Sequence, residues 1–332
     1  MKRLFKEDVA SFVRELKGSY KVAAPQERDG EYAFDFVEDE DKVVLDYPST
    51  ILPIKKFFFP PEEIILEYDL SAEEEIKFKS EPKADEICIL GAHPCDINAL
   101  LRFDMVYLDD KFDPFYKKRR EHALIIGVYC THPSEACFCG SMGTDRVEDG
   151  YDLMLIDGGD EYGVEIGSEK GDRIVNSMEI FKDGKDMERP KLEGFIREVE
   201  TKDLPELMLE KYESDLWNDF GEKCLGCGKC VLVCPTCFCY NVVDDIGLDG
   251  KNGERKRIWD GCVLTDFTLV AGGLNFRNDR TSRLKQRILH KFSYFDDKYG
   301  VSGCTGCGRC INVCPADIDC TRIVGLLRSE SK

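Results

Sequence analysis

The chain has 332 residues, of which 33% are charged and 17 are cysteines, and its formal net charge is -19. This length is sufficient for two domains with cores of their own, so a cofactor is not needed to hold the fold together. The acidic balance argues against nucleic acid as a partner, because a phosphate backbone requires a positively charged face.

The N-terminal sequence gives no indication of secretion. The first twenty residues carry apolar side chains at helical spacing among many charged ones, without the unbroken apolar run of a signal peptide. No segment approaches the ~20 apolar residues of a membrane span. We therefore expect a cytoplasmic protein without a membrane span, in which thiols stay reduced. Clustered cysteines then indicate metal binding or redox chemistry rather than a disulfide scaffold.

Short β-rich segments alternate with helical ones over the first two hundred residues, which predicts a mixed α/β domain over residues 1–200. The segment GAHPCDINALLRF follows one predicted strand and opens a helix, and a later strand ends at Cys130. This order indicates a crossover unit with cysteines at strand ends, where α/β sheets commonly place their sites. The predicted strands are VVLDY (43–47), EEIILEYDL (62–70), EICILG (86–91), ALIIGVY (123–129), and YDLMLI and YGVEIG, which flank a turn that begins at residue 157.

Four cysteines near these strand ends form a candidate metal site, here called the third set. The third set is Cys95, Cys130, Cys137 and Cys139. These residues would supply all four ligands of a 4Fe-4S cluster, although their spacing matches no standard motif. Two other interpretations stay open: ordinary core and loop thiols, with His93 and His132 as polar loop residues, or a zinc site that uses one of those histidines. Cys88 lies inside an apolar strand, and we expect it in the core.

A domain boundary is predicted near residue 200, and residues 201–332 are expected to form a mainly helical, ferredoxin-like domain. Residues 204–224 are predicted as one helix with an apolar stripe, and residues 280–292 as another. Residues 251–291 carry ten Lys and Arg against four acidic residues. This basic segment has three interpretations: a solvated helix face, a docking surface for an acidic partner, or cations beside an anionic cofactor.

Two copies of the pattern C-x2-C-x2-C-x3-C-P carry the strongest functional signal. The first motif covers residues 224–235, and the second motif covers residues 304–315. In bacterial ferredoxins this pattern holds 4Fe-4S clusters, and the cysteine before proline binds the cluster of the other motif. We therefore predict two 4Fe-4S clusters with crossed ligands. The first set is Cys224, Cys227, Cys230 and Cys314, and the second set is Cys304, Cys307, Cys310 and Cys234.

Zinc is the alternative metal for these cysteines. A tetrahedral ion is typically held by two C-x2-C pairs, whereas three evenly spaced cysteines with a fourth before proline suit the corners of a cubane. Cys237, Cys239 and Cys262 stay unassigned, and the sequence favours buried thiols beside a cluster over direct ligation. No nucleotide-binding or nucleophile motif occurs in the sequence, and no residue is predicted to be catalytic.

Seven segments stand in the order found in a known family. They are KKFFFPP, GAHPCDINAL, CFCGSMGT, CPTCFCYNVVD, RIWDGCVLTDFTLVAGGLNFR, RILHKF and CTGCGRCINVCPADI. In these segments the chain resembles the β (iron-sulfur) subunits of cytoplasmic sulfhydrogenase-type nickel-iron hydrogenases and the A subunits of anaerobic sulfite reductases. The resemblance covers nearly the full length. The family's cysteines map onto both ferredoxin sets and onto the third set, which supports a third 4Fe-4S cluster.

The resemblance implies an electron-transfer subunit of a soluble anaerobic oxidoreductase complex. Such a subunit relays single electrons between a flavoprotein that reacts with NAD(P)H and a catalytic subunit of the hydrogenase or sulfite reductase type. FAD or FMN is expected only on the partner flavoprotein, and the chemistry on the substrate is expected on the catalytic partner. The alternative is a self-sufficient iron-sulfur reductase whose N-terminal cysteines hold a substrate-binding cluster.

Overall fold

The computed structural model describes residues 1–71 and 77–330. Twelve strands in these residues form an eight-stranded and a four-stranded sheet. The strands are β1 (Lys2–Phe5), β2 (Lys21–Arg28), β3 (Glu31–Phe36), β4 (Glu62–Asp69), β5 (Lys77–Lys79), β6 (Ile87–Ala92), β7 (Ala123–Val128), β8 (Leu153–Asp157), β9 (Glu161–Ile166), β10 (Lys182–Asp183), β11 (Tyr240–Ile246) and β12 (Asn252–Trp259).

The α-helices of the described residues are mostly short, and several consist of a single turn. They are α1 (Val9–Leu16), α2 (Lys55–Phe58), α3 (Pro94–Tyr107), α4 (Pro114–Glu121), α5 (Glu169–Ser177), α6 (Leu204–Glu210), α7 (Leu216–Lys223), α8 (Lys229–Leu232), α9 (Arg280–Leu289), α10 (Phe295–Tyr299), α11 (Arg309–Asn312) and α12 (Cys320–Ser329). No helix in this part of the chain is both long enough and apolar enough to span a bilayer.

The eight-stranded sheet has the order β10-β1-β9-β8-β7-β6-β2-β3. Its centre is parallel, because β2 pairs with β6, β6 with β7, and β7 with β8. Every residue of β6 and β7 is buried, as expected for parallel strands that are covered on both faces. α3 and α4 connect these two strands. The predicted crossover unit, the β8–β9 hairpin and the mixed α/β class are therefore confirmed.

The four-stranded sheet connects the two halves of the sequence. Its order is β11-β12-β4-β5, so two strands precede residue 200 and two follow it. Arg257 of β12 forms buried ion pairs with Glu63 of β4 and with Asp113. Because residues 201–330 contain the β11–β12 hairpin as well as helices, their description as mainly helical is not confirmed. The domain boundary near residue 200 stays a prediction.

The prediction of a strand at residues 43–47 is wrong. Val43 takes part in one isolated bridge, and the N–H of Val44 donates to the carbonyl oxygen of Pro25 at 2.9 Å. Since Pro25 has no N–H to donate in return, pairing along this edge of β2 does not continue. Tyr47 is instead buried in the core. The apolar character of this segment reflects packing rather than strand pairing.

The prediction of one helix over residues 204–224 is also wrong, because α6 and α7 are separate helices. Leu209 and Tyr212, which belong to the predicted apolar stripe, are 53% and 40% exposed. Trp217 is buried instead, and its ring N–H donates to the carbonyl oxygen of Lys211 at 2.8 Å. This hydrogen bond satisfies a carbonyl at the end of α6, where the helix leaves its last acceptors without partners.

A second buried core surrounds the two cysteine motifs. Trp217 of α7, Ile288 of α9 and Leu327 of α12 belong to this core, together with Phe138 from the first half of the chain. α9 continues through a π-helical turn at His290–Tyr294 into α10, which ends at Gly300. The two motifs therefore lie on a packed support that both halves of the sequence build.

Candidate metal centres

The first motif forms a loop between α7 and the one-turn helix α8. Gly226 and Gly228 have positive φ values of 64° and 79°, which glycine adopts at little steric cost. The N–H of Gly226 donates to Cys224 Sγ at 3.4 Å. Such a loop holds Cys224, Cys227 and Cys230 around one side of a cavity.

The second motif repeats this conformation before α11. Gly306 and Gly308 have φ values of 62° and 75°, and the N–H of Gly306 donates to Cys304 Sγ at 3.4 Å. A Cβ atom on Gly308 would lie 2.5 Å from the carbonyl carbon and oxygen of Ala136. Glycine is therefore required here both by the backbone angle and by the close approach of a loop from the first half of the chain.

Two cavities adjoin these loops. The first cavity is lined by all four cysteines of the first set, and the second cavity is lined by all four of the second set. In each set three cysteines come from one motif and the fourth comes from the other; Cys310 also lines the first cavity, and Cys320 lines both. The structure thus brings together the residues of each set, and their assignment as ligands stays a proposal.

The donors and walls of the two cavities fit thiolate-bound clusters. Besides thiols and cationic side chains, the first cavity is lined by apolar residues that include Val263 and Ile288, and the second by Phe138 and Phe292. A third N–H, that of Ile318, donates to the thiol of the crossed cysteine of the first set at 3.3 Å. Hydrogen bonds to sulfur and exclusion of solvent are the means by which proteins tune such clusters.

The described residues form no comparable site for a single metal ion. Within residues 1–71 and 77–330, no three His, Cys, Asp or Glu side chains are placed to hold one ion. The cysteines of the first and second sets are instead distributed around the walls of their cavities.

Two buried cations face the cavities. Arg287 lines both of them, and Lys291 lines the second. Burial lowers the pKa of both side chains, but the neighbouring thiols raise it by more. Those of Cys230 and Cys310 hold the pKa of Arg287 well above its ordinary value. The thiol of Cys234 likewise raises the pKa of Lys291 despite burial. Both side chains are therefore cationic at neutral pH.

A third cation, Lys55 of α2, reaches the same region from the first half of the chain. Its Nζ donates to the carbonyl oxygen of Cys237 at 3.0 Å and lies 4.2 Å from the centre of the Trp259 ring. Burial lowers the pKa of Lys55, and the thiols of Cys237 and Cys234 oppose that shift. Sequence analysis missed this residue, because the segment KKFFFPP shows no pattern that distinguishes a buried lysine from an exposed one.

Arg309 of the second motif has a structural partner. Its guanidinium forms two hydrogen bonds of 2.7 Å with the carboxylate of Asp96, at 3% and 0% side-chain exposure. The same guanidinium donates to the carbonyl and hydroxyl oxygens of Thr50 at 2.8 and 2.9 Å. This buried network ties α11 to the start of α3, beside Cys95.

The third set lies at one edge of the larger sheet. Cys95 begins α3 after β6, and Cys130 follows the neighbouring parallel strand β7. Cys137 and Cys139 lie in the next loop and share a hydrogen bond between their thiols, which lowers the pKa of Cys137 to about 7 and raises that of Cys139. The thiols of Cys95 and Cys130 are near enough to oppose charge on Cys139 further. The four residues are thus neighbours, and a cluster on them stays a proposal.

The loop that carries the third set packs directly on the second motif. The N–H of Phe138 donates to the carbonyl oxygen of Gly306 at 2.7 Å, and the hydroxyl of Thr144 donates to that of Thr305 at 2.6 Å. Because Phe138 also lines the second cavity, the third set is adjacent to that cavity.

The histidines near the third set differ from each other. His132 is exposed, as expected for a polar loop residue. His93 is buried and stacks on the ring of Tyr47 with 4.0 Å between centroids. Burial lowers the pKa of His93 to about 3, and the charge of Arg309 acts in the same direction. His93 is therefore a neutral packed side chain, unlike the polar loop residue of the alternative interpretation.

The cysteines outside the three sets are buried or half-buried. The thiol of Cys237 shares a hydrogen bond with that of Cys234, which lowers the pKa of Cys234 and raises that of Cys237. The N–H of Cys262 donates to the thiol of Cys239, and burial raises the pKa of Cys262 to about 12. These positions support the interpretation of thiols beside a cluster.

Two further cysteines have distinct positions. Cys88 is fully buried within β6, which confirms its prediction as a core residue. Cys320, at the start of α12, lines both cavities. Sequence analysis did not single out Cys320, because it lies five residues beyond the second motif and belongs to no spacing pattern.

Comparisons with known proteins agree with this geometry. Residues 223–318 match the model of the 4Fe-4S dicluster domain family. The chain is 36% identical over 335 aligned residues to the sulfhydrogenase 2 subunit beta of Pyrococcus furiosus, and the alignment covers 98% of this chain and 98% of that protein. No solved structure matches the chain significantly.

Proposed function

Because this chain belongs to the family of sulfhydrogenase beta subunits, we propose that it is the electron-transfer subunit of a soluble anaerobic oxidoreductase complex. A 4Fe-4S cluster bound in either cavity supplies one-electron redox chemistry. The role of this chain is to hold such clusters through the crossed cysteines of the first and second sets and to keep them close together.

The observation that carries this proposal is the adjacency of the two thiol-lined cavities. Arg287, Cys310 and Cys320 line both cavities, so the two sites share a wall. One-electron transfer between centres requires little rearrangement when both are held rigidly at short range. Two neighbouring sites of this kind suit a relay better than a substrate pocket.

The arrangement also suggests an order for the relay. Cys227 of the first set is exposed, and its neighbour Leu225 is 60% exposed, so the first cavity opens towards the surface. The second cavity lies deeper, between the first cavity and the third set. We propose that electrons enter or leave at Cys227 and that a third 4Fe-4S cluster on the third set extends the relay into the α/β half.

The partner subunits that we propose are based on the family to which this chain belongs. The relative in Pyrococcus furiosus is by its name one subunit of a sulfhydrogenase. We propose for this chain a flavoprotein partner that carries FAD or FMN and reacts with NAD(P)H, and a catalytic partner of the hydrogenase or sulfite reductase type. The chemistry on the terminal substrate takes place on that catalytic partner.

Anoxic co-purification with an affinity-tagged chain tests this proposal. We expect a flavoprotein and a catalytic subunit to accompany the chain. NAD(P)H should bleach the visible absorbance of the iron-sulfur clusters in the complex, whereas the isolated chain should be bleached by dithionite alone. Reduction of sulfite, polysulfide or a disulfide by the isolated chain would contradict the relay and would support the self-sufficient reductase.

A further inference from the structure

The helix α9 presents a row of buried cations to the cluster region. Arg283, Arg287 and Lys291 follow one another at intervals of four residues, so they lie on one side of the helix and of its π-helical extension. Their exposures are 5%, 6% and 4%. Cations are rarely buried to this degree unless they are paired, so each of the three requires an explanation.

The guanidinium of Arg283 finds its hydrogen-bond acceptors within the protein. Its guanidinium donates to the carbonyl oxygens of Val263, Arg277 and Asn278 at 3.1, 3.0 and 2.8 Å. Arg283 therefore fixes the loop before α9, and this role needs no cofactor.

Arg287 differs, because its donors have few acceptors among the described residues. It has a long hydrogen bond from Nη2 to the carbonyl oxygen of Cys230 at 3.5 Å, and it also donates to the thiol of Cys310. Its Nε is buried without a partner among those residues. Buried polar groups are almost always hydrogen-bonded, and this guanidinium lines both cavities. Its position indicates an anionic acceptor on each side.

Lys291 faces the second cavity alone. Its Nζ donates to the carbonyl and hydroxyl oxygens of Thr236 at 2.9 and 2.7 Å, next to the crossed cysteine Cys234. Its ammonium group is thus fixed beside one of the two cavities, whereas Arg287 is shared between them.

We propose that Arg287 is an electrostatic link that raises the reduction potentials of the clusters in both cavities, and that Lys291 raises the potential of the second cluster alone. This inference rests on the proposed function. One-electron reduction by a reduced flavin or by dithionite adds one negative charge to a site that adjoins a buried cation. A fixed cation beside that site stabilises the reduced form more than the oxidised form. Arg287 and Lys291 are positioning residues here, since they need not coordinate iron.

Redox titration monitored by EPR tests this assignment on the anaerobically reconstituted full chain. The variants are Arg287→Gln, Arg287→Lys and Lys291→Gln. The matched control is Lys285→Gln, which removes the same charge from the same helix at a residue that binds the exposed carbonyl of Tyr212. A Cys307→Ala variant identifies the signal of the second cluster.

The expected outcomes differ between the variants. Arg287→Gln lowers the midpoint potentials of both clusters, and Arg287→Lys restores a large part of that loss because it keeps the charge. Lys291→Gln lowers the midpoint of the second cluster only, and Lys285→Gln shifts neither. Unchanged midpoints in Arg287→Gln, or a shift confined to one cluster, would overturn the inference.

A measurement on wild-type Arg287 tests the inference even if the Arg287→Gln variant does not bind iron. Pulsed EPR of protein labelled with ¹⁵N-arginine should show couplings on both reduced clusters that are lost in Arg287→Lys. Couplings that persist in Arg287→Lys would overturn the inference. Wild-type protein without two clusters would contradict the proposed function itself and the inference with it, whereas two clusters with unshifted potentials would contradict the inference alone.

Discussion

Cys234 and Cys314 illustrate at the residue scale how two short motifs become one unit. Each ends its own motif in sequence, yet each lines the cavity that belongs to the other motif. In the proposed ligand sets, neither loop therefore supplies all four cysteines alone. Cys234 and Cys314 join the walls of two cavities that lie close together.

Removal of one crossed cysteine should abolish one cluster selectively. We expect Cys314→Ala to lose the same EPR signal as Cys227→Ala and about four irons per chain, while the signal of the second cluster persists. Cys88→Ala is the control, because this buried core thiol lies outside all three sets. Loss of the signal that Cys307→Ala removes, rather than the one that Cys227→Ala removes, would show that the ligands are not crossed.

The ion pair between Arg309 and Asp96 is a second feature at this scale. Asp96→Asn would leave a buried guanidinium without its counter-charge, so we expect the free energy of unfolding to fall by about 3–5 kcal/mol. The control is Asp244→Asn in the exposed pair with Arg255, where solvent screens the charges and we expect little change in the free energy of unfolding. Anoxic denaturant titrations measure both variants. Equal effects at the two sites would contradict the structural role assigned to Arg309.

At the scale of elements, the contact between the loop of the third set and the second motif depends on glycine. Gly308 and Gly300 both have positive φ, of 75° and 71°, but a Cβ atom on Gly300 would meet no atom within 4 Å. Gly300→Ala isolates the backbone strain, of roughly 1–2 kcal/mol. Gly308→Ala adds the clash with Ala136 and should cost roughly 1–3 kcal/mol more. Identical denaturation midpoints for the two variants would show that the loop does not pack as described.

The elements that could be predicted from sequence are those with a strong local pattern. β6 and β7 are continuous apolar runs, and α9 follows the capping residue Asp279, whose side chain accepts from the N–H of Ser282. The failures have tertiary causes. The strand prediction at residues 43–47 fails because a strand needs a partner with free donors. The prediction of one helix over residues 204–224 fails because its apolar stripe mixes buried and exposed side chains.

The candidate site, too, could be predicted from the sequence only in part. The repeated ferredoxin pattern predicts which cysteines belong to the first and second sets, whereas the spacing of the third set matches no standard motif. The interval of four residues from Arg283 to Lys291 was visible as well. The burial of these cations could not be predicted from the sequence, because a basic helix face is normally exposed. Only the packing of α9 against both cavities shows that they are buried. The positions of Arg287 and Lys291 agree best with one of the three interpretations of the basic segment, namely that it places cations beside an anionic cofactor.

At the scale of the whole molecule, the two halves of the sequence are tied together by several contacts. β12 pairs with β4, Arg309 pairs with Asp96, and Phe138 packs in the core around the motifs. A chain cleaved in the irregular segment near residues 190–200 should therefore yield two fragments that elute together and retain their iron. Limited proteolysis followed by anoxic size-exclusion chromatography tests this expectation. Separation of the fragments with iron on one of them would instead favour two independent domains.

We propose above all that this chain holds two 4Fe-4S clusters through crossed cysteines. Anomalous diffraction at the iron edge, from crystals grown without oxygen, tests this most directly. We expect four-iron density in both cavities, with three cysteines from one motif and one from the other around each. Zinc in place of iron, or a cluster whose four cysteines all come from one motif, would contradict it.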